Sequence, residues 1–312
     1  CTMCVDQVSF LKGCDVQWAI AKGLNFVPDS ADPKRKYIEL KKDDAQNSLA
    51  ALRKFLREFK PDIAVSFQAP WWVSYALWSE GVPVRAGVRS QWHSFLFLNK
   101  GLRQRRSLAT QHEADYNLDL LLHAFAIDEK VAQEKTPTLK MRAAVNPALL
   151  SKHQLSAKNY IVVHPGMAGS ALNWPIPSYI ELIEKIIPNT QVVLTGTPAD
   201  EPWLKDIKAY FKNNPRVLSL QNELKASELL TVLDNAKAVV VPSTGVAHIA
   251  ASLGTPVLGL YSPVRVQHPR RWAARGEHVH IFMPEVADAE NVDANCMQQI
   301  KVDDVLKTLN KI

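Results

Sequence analysis

The sequence predicts an α/β protein of two domains, each built on a mostly parallel sheet. Three observations predict this. Short apolar runs alternate with segments of helical period, the alternation lapses between about residues 136 and 158, and it then restarts in the same form. A chain of 312 residues is long enough for two cores, and 47% hydrophobic against 22% charged residues excludes a disordered chain. No short-period repeat or low-complexity tract interrupts the pattern.

In order, Val5 to Lys12 reads as helical and Gly13 ends it, and Val16 to Ile20 and Tyr37 to Leu40 read as strands. Leu49, Leu52, Leu56 and Phe59 recur at the helical period. A strand over Ile63 to Phe67, a tryptophan-rich helix over Trp71 to Trp78 and a short strand near Val84 to Val88 come next. An arginine-rich loop leads to a helix with Ala114, Leu118, Leu121 and Phe125 on one side. This defines an N-terminal domain over 1–145. Residues 146–157 read as a linker, because the stretch around Pro137 and Pro147 loses clear periodicity.

The C-terminal domain, 158–312, opens on the strand Tyr160 to His164 and continues with a helix from Ser178 and the strand Gln191 to Thr195. A helix after Pro202, the strand Val217 to Leu220 and a helix from Ser227 follow. Val239 to Tyr261 then reads as strand, small polar turn, short helix and strand. A doubly wound domain opens on a strand, whereas this chain begins at Cys1 without an initiator methionine and inside a helical stretch. One strand and its loop are therefore expected upstream.

Ligands of open parallel sheets bind beyond the carboxyl ends of the strands, and three loops of the second half leave such ends. The turn Ser243-Thr244-Gly245 starts a helix, where free backbone N–H groups and the helix dipole favour an anion. His248 follows Thr244 by four and shares its helical face. The plainer alternative is an ordinary βαβ unit, with Ser243 as N-cap and His248 as a hydrogen-bonded core histidine. The loop after His164 holds Gly166, Gly169 and Ser170, whose backbone suits an anion although no GKS or GKT closes it as in a P-loop. The loop after Thr195 holds Thr197, Asp200 and Glu201, carboxylates placed either for a ribose diol or as plain complements to a helix dipole. Together the three loops read as a clamp for a nucleoside diphosphate.

A formal charge of +6 favours an anionic partner: nucleic acid, a lipid head-group surface or a phosphorylated sugar. Lys100, Arg103, Arg105 and Arg106 gather in the predicted loop, and guanidinium forks match phosphates and carboxylates. With no helix-turn-helix, zinc finger or aromatic-basic platform, nucleic acid is not an expected partner. Trp71, Trp72 and Trp78 suit a lipid surface, but a buried amphipathic helix is the preferred reading. Cys1 and Cys4 have CxxC spacing while Cys14 and Cys296 stand alone, so neither a zinc site nor a redox pair is expected. No metal or cofactor is expected. No apolar run approaches the roughly 20 residues of a membrane-spanning helix and no signal peptide opens the chain, so a cytoplasmic protein is expected.

His164-Pro165-Gly166, Asn173-Trp174-Pro175, Thr195-Gly196-Thr197-Pro198 and Ser243-Thr244-Gly245 with His248-Ile249-Ala250-Ala251, in that order, resemble the heptosyltransferase family, glycosyltransferase family 9. His112 to Leu118 and Pro269-Arg270-Arg271-Trp272 extend the resemblance over most of the chain. The resemblance implies a GT-B architecture, two Rossmann-like domains facing across a cleft. It implies inverting, metal-independent transfer of a heptose from an ADP-sugar to the inner core of lipopolysaccharide. The acceptor's phosphates and carboxylates would then meet the basic loop, and the protein would work at the cytoplasmic face of the inner membrane.

In the family the general base is an aspartate in a Gly-Asp loop after the first strand. That loop falls upstream of Cys1, so the catalytic residue stays unassigned, and neither Asp6 nor Asp15 sits in its place. Leu172 stands where many members carry a lysine facing the donor phosphates, and Ser243 replaces an aspartate common among them, although a serine form occurs. Two alternatives stay open: a non-catalytic nucleotide-sugar-binding homologue, and a sugar-nucleotide epimerase of similar two-domain shape.

Overall fold

Every strand pairing among the described residues is parallel. The structure, a computed structural model, describes residues 2–128, 137–144, 146–167, 169, 171–287 and 289–312. The chain divides into two compact units, Cys1–Arg106 with Gln111–Leu139, and Ser107–Thr110 with Lys140–Ile312. The boundary thus lies earlier than the composition suggests. The expected linker instead holds a helix of the second unit, Pro147–Lys152, capped by Asn146 through Leu149 N, with Leu149 and Leu155 buried in the core. Two buried leucines give this segment an apolar anchor that its lack of period conceals.

In the first unit, β1 (Gln17–Ala21) pairs with β2 (Lys36–Leu40), and β3 (Ile63–Ser66), β4 (Val84–Val88) and β5 (Lys100–Leu102) form a second sheet in that order. The helices are α1 (Phe26–Ser30), α2 (Ala45–Phe59), α3 (Trp71–Ser79), α4 (Trp92–Phe97) and α5 (Glu113–Phe125). Asp44 caps α2 by accepting from Asn47 N, and Leu52 and Leu56 pack with Trp72, Ala76 and Leu77 of α3. The helix expected over Val5 to Lys12 is two 3-10 segments, Thr2–Gln7 and Ser9–Leu11. Val5, Val8 and Leu11 are buried three residues apart, the period of a 3-10 helix rather than an α-helix. Asp6 anchors the segment by an ion pair with Arg35 (2.5 Å) and by accepting from Trp18 Nε1 (2.9 Å).

The arginine-rich stretch is more ordered than the expected loop. Lys100 lies in β5, and α4 precedes it. Trp72 is buried, as a core helix requires, but Trp71 and Trp78 are exposed, so α3 is apolar on both sides.

The second unit carries α6 (Pro147–Lys152) and one six-stranded sheet in the order β11-β10-β9-β6-β7-β8. Its strands are β6 (Tyr160–Val163), β7 (Gln191–Leu194), β8 (Val217–Ser219), β9 (Ala238–Pro242), β10 (Val257–Leu260) and β11 (Val279–Phe282). Helices α7 (Ile176–Ile186), α8 (Glu201–Tyr210), α9 (Ala226–Asp234), α10 (Gly245–Ser252), α11 (Pro269–Trp272) and α12 (Val302–Leu309) complete it. Both faces of the sheet are covered, which is why its strands read as unbroken apolar runs. Ile161, Val163 and Val240 face α7, α8 and α12, while Tyr160, Val162 and Val239 face α9 and α10.

Candidate functional site

Strand order places the site. From β6 the chain winds outward through β7 and β8, then returns to lay β9 on the other side of β6 and winds outward again through β10 and β11. The β6 and β9 loops therefore diverge at a topological switch point, where a doubly wound sheet opens a crevice at its carboxyl edge. The loop after β7 lies next to them. These are the three loops that carry the sequence motifs.

His164 follows β6 directly, its N–H bonded to Val240 O across the switch point (3.0 Å). Its Nδ1 shares a hydrogen bond of 2.9 Å with Thr195 Oγ1, and both residues are buried. Burial, partly offset by the Asp200 carboxylate, holds the imidazole pKa down to about 4, so the ring is neutral at physiological pH. Gly166 follows at a point where a Cβ would overlap Asp200. Asn173 fixes the far end of the loop by donating to Pro165 O (2.6 Å) while its Oδ1 accepts from Tyr179 OH (2.9 Å). The next residue, Trp174, is buried and donates from Nε1 to Ile300 O (3.0 Å). The Asn-Trp pair is thus a clasp holding the loop to α7 and to the segment before α12.

Asp200 and Glu201, expected beside a ribose, both have partners within the chain. Asp200 is buried and closes a capping box, its Oδ2 accepting from Thr197 N and Thr197 Oγ1 at 2.8 Å each. The Thr197 hydroxyl proton is thus directed to the Asp200 carboxylate within the loop. Glu201 is turned to Lys208 Nζ (2.7 Å), and that bond lowers its pKa.

The turn after β9 is built differently. Thr244 is the N-cap of α10, but its side chain caps no backbone N–H, and its Oγ1 is buried with no hydrogen-bond partner among the described residues. No acidic residue stands in the first turn of the helix. Gly245 is exposed, with open space where a Cβ would point. Ser243 and His248 are both half-buried. Among the described residues the arrangement is a helix start with free donors, a desolvated hydroxyl lacking a partner, and no acidic residue in the first turn to satisfy it. Of the remaining donor-site residues, Ser170 lies outside the described residues.

Comparison with known proteins decides the family. Residues 49–300 match the family model of glycosyltransferase family 9 (heptosyltransferase). The chain belongs to that family. Among its relatives is a glycosyltransferase of Haemophilus influenzae, named as such only provisionally, 27% identical over 74% of this chain and 69% of its own. Lipooligosaccharide heptosyltransferase 2 of the same organism is 30% identical over 46% of each chain. The solved structure of Escherichia coli ADP-heptose lps heptosyltransferase II superposes with a TM-score of 0.78 at 18% identity, covering 99% of this chain and 92% of that one. The fold of this family 9 chain is therefore that of the GT-B heptosyltransferases, and the chain is a glycosyltransferase. Family membership sets the epimerase reading aside.

Within this family 9 enzyme, the departure at Leu172 is accommodated structurally. The side chain packs against the core under α7, and its N–H donates to Gln267 Oε1 (3.2 Å). Asp6, already paired with Arg35, is held as a structural anion.

The basic group of the first unit divides in two. Arg103 and Arg105 are exposed and Lys100 is half-buried. Arg106, expected among the acceptor-facing cations, is buried and fully engaged, which corrects that expectation. It pairs with Glu113, donates to Gln104 Oε1 (2.9 Å) and Asn117 Oδ1 (3.0 Å), and lies over the Tyr116 ring. The glutamate and asparagine belong to the His112-to-Leu118 motif, whose sequence signal is therefore partly a binding pocket for this one arginine. The loop after β10 escaped the sequence reading. It too leaves the carboxyl edge beside β9, and its Ser262 is fully buried, accepting from Val264 N (3.2 Å). Its sequence signal is a small polar residue ending an apolar strand.

Proposed function

We propose that the enzyme moves a heptose from an ADP-sugar to the inner core of lipopolysaccharide, with inversion and without a metal ion. The observation that carries the donor half is the uncapped start of α10 at the switch point, with the Thr244 hydroxyl buried and without a partner among the described residues. Breaking the bond between anomeric carbon and phosphate leaves a nucleoside diphosphate, whose growing charge needs donors already in place. The α10 N–H groups, Ser243, Thr244, Gly245, His248 and the Gly166 loop supply them in this reading. The acceptor hydroxyl attacks the anomeric carbon from the opposite face as its proton passes to a general base, which is not assigned to any residue of this sequence. Lys100, Arg103 and Arg105 receive the acceptor's anionic groups. The names of similar proteins, an ADP-heptose transferase and a heptosyltransferase solved with ADP, support the donor choice.

Calorimetric titration with ADP, UDP and GDP tests it. Selective binding of ADP is expected. Preference for UDP or GDP would replace the donor, and no binding of any would remove the clamp.

A further inference from the structure

The first unit carries an exposed aromatic face whose rings the transfer reaction does not use, although Arg103 at its edge is shared with the proposed acceptor site. On α3, Trp71 and Trp78 lie outward while Trp72, Ala76 and Leu77 are buried inward. On α4, Trp92, Phe95 and Leu96 are outward while His93 and Ser94 are buried, and Trp92 and Leu96 are 62% and 65% exposed. The two helices form one surface: Trp71 lies 6.3 Å from Trp92, and Phe97 sits 5.5 Å from Trp78 and 6.4 Å from Trp92, ring centre to ring centre. A cluster of indoles and leucine in water is unfavourable unless something covers it.

Charge identifies the cover. Arg89 and Arg103 lie over the Phe95 ring at 5.5 and 5.7 Å. Neither has a carboxylate partner among the described residues. From Phe67 to His112 the only acidic residue is Glu80, against Arg85, Arg89, Lys100, Arg103, Arg105 and Arg106. Glu80 is itself held by Arg53 and Arg57, which keep its pKa down to about 2. A second copy of this chain packed through the same face would oppose cations to cations with no acid to meet them. Indole rings with an arginine rim are instead the composition of a bilayer interface, where rings sit at head-group level and cations meet anionic lipid. We propose that the outward face of α3 and α4 docks the enzyme on an anionic lipid bilayer. Among the described residues no helix is long and apolar enough to cross a membrane, so docking would be peripheral. This inference does not depend on the identity of the sugar donor.

The test is sedimentation of the purified chain with vesicles of phosphatidylethanolamine and phosphatidylglycerol, free of lipopolysaccharide, against phosphatidylcholine vesicles. Binding to the anionic vesicles is expected, with tryptophan emission quenched by lipids brominated in the upper acyl chain. Replacing Trp92→Ser, Phe95→Ser and Leu96→Ser together should weaken partition by more than about tenfold. The thermal midpoint and the nucleotide titration should match the parent. Equal partition of parent and variant, equal binding to neutral vesicles, or no quenching in the parent would each overturn the proposal. So would a parent that ignores vesicles and instead dimerises or binds an acidic protein through this face. Since the quenching measurement uses the unaltered protein, it decides the matter even if the variant fails to fold.

Discussion

Asp200 closes directly over Gly166, so that two loops leaving adjacent strands meet with no room for a single methyl group. The carboxylate doing so is fixed by Thr197 and cannot swing away without breaking its capping box. Gly166→Ala should destabilise the second unit by about 1–3 kcal/mol, the usual cost of overpacking. Because the overlap includes Asp200 Cβ, Asp200→Ala should not restore stability, whereas Asp200→Gly should relieve the clash. Urea unfolding of the single and double variants checks this. Additive losses in Gly166→Ala with Asp200→Gly would show that the two residues do not constrain each other.

His164 gives the second unit a pH dependence of known sign. Its folded pKa is lowered to about 4 from an ordinary value of 6.5, so the unfolded chain binds the extra proton first. The stabilisation is therefore complete above about pH 6.5 and is lost as the pH falls toward 4. The difference corresponds to on the order of 3 kcal/mol. His164→Gln should flatten the stability profile across that window, measured by urea midpoints at a series of pH values. An unchanged slope would mean that another group titrates there.

The extent to which this was legible follows from what each residue answers to. Strands such as Tyr160–Val163 are covered on both faces, so composition alone marks them. The carboxyl-end loops follow from strand and helix order, as does the turn before α10. What stayed hidden depends on partners distant in sequence. Arg106 looks like its exposed neighbours Arg103 and Arg105 until Glu113 and Asn117 fold over it. Asp200 resembles a ligand carboxylate until Thr197 claims it. Trp71 and Trp72 are adjacent and chemically identical, yet a helix turns one outward and the other into the core.

Thr244 allows stability and binding to be separated. A buried hydroxyl without a partner costs about 1–3 kcal/mol, so Thr244→Val should leave the free protein as stable as the parent or more so. If that hydroxyl serves a diphosphate, the same change should weaken ADP by roughly tenfold, with little effect on adenosine. His248→Ala should likewise weaken ADP far more than adenosine. Calorimetry with both ligands, beside thermal unfolding without ligand, separates the two effects. Equal losses for nucleoside and diphosphate would remove both residues from the phosphate site.

The basic residues of the first unit should fall into two classes. Arg106→Gln leaves Glu113 as a buried carboxylate without its countercharge and strips Asn117 of its donor, so a loss of about 3–5 kcal/mol is expected. Arg103→Gln and Arg105→Gln, both exposed, should change stability by no more than about 0.5 kcal/mol. If these two arginines receive the anionic acceptor, their joint replacement should raise the acceptor concentration needed for transfer while leaving ADP titration unchanged. The same pair at higher salt should show a smaller further loss than the parent, since the screened interaction has already been removed. Loss of ADP affinity in the double variant would instead assign these side chains to the donor. A large loss of stability would show that they, like Arg106, belong to the fold.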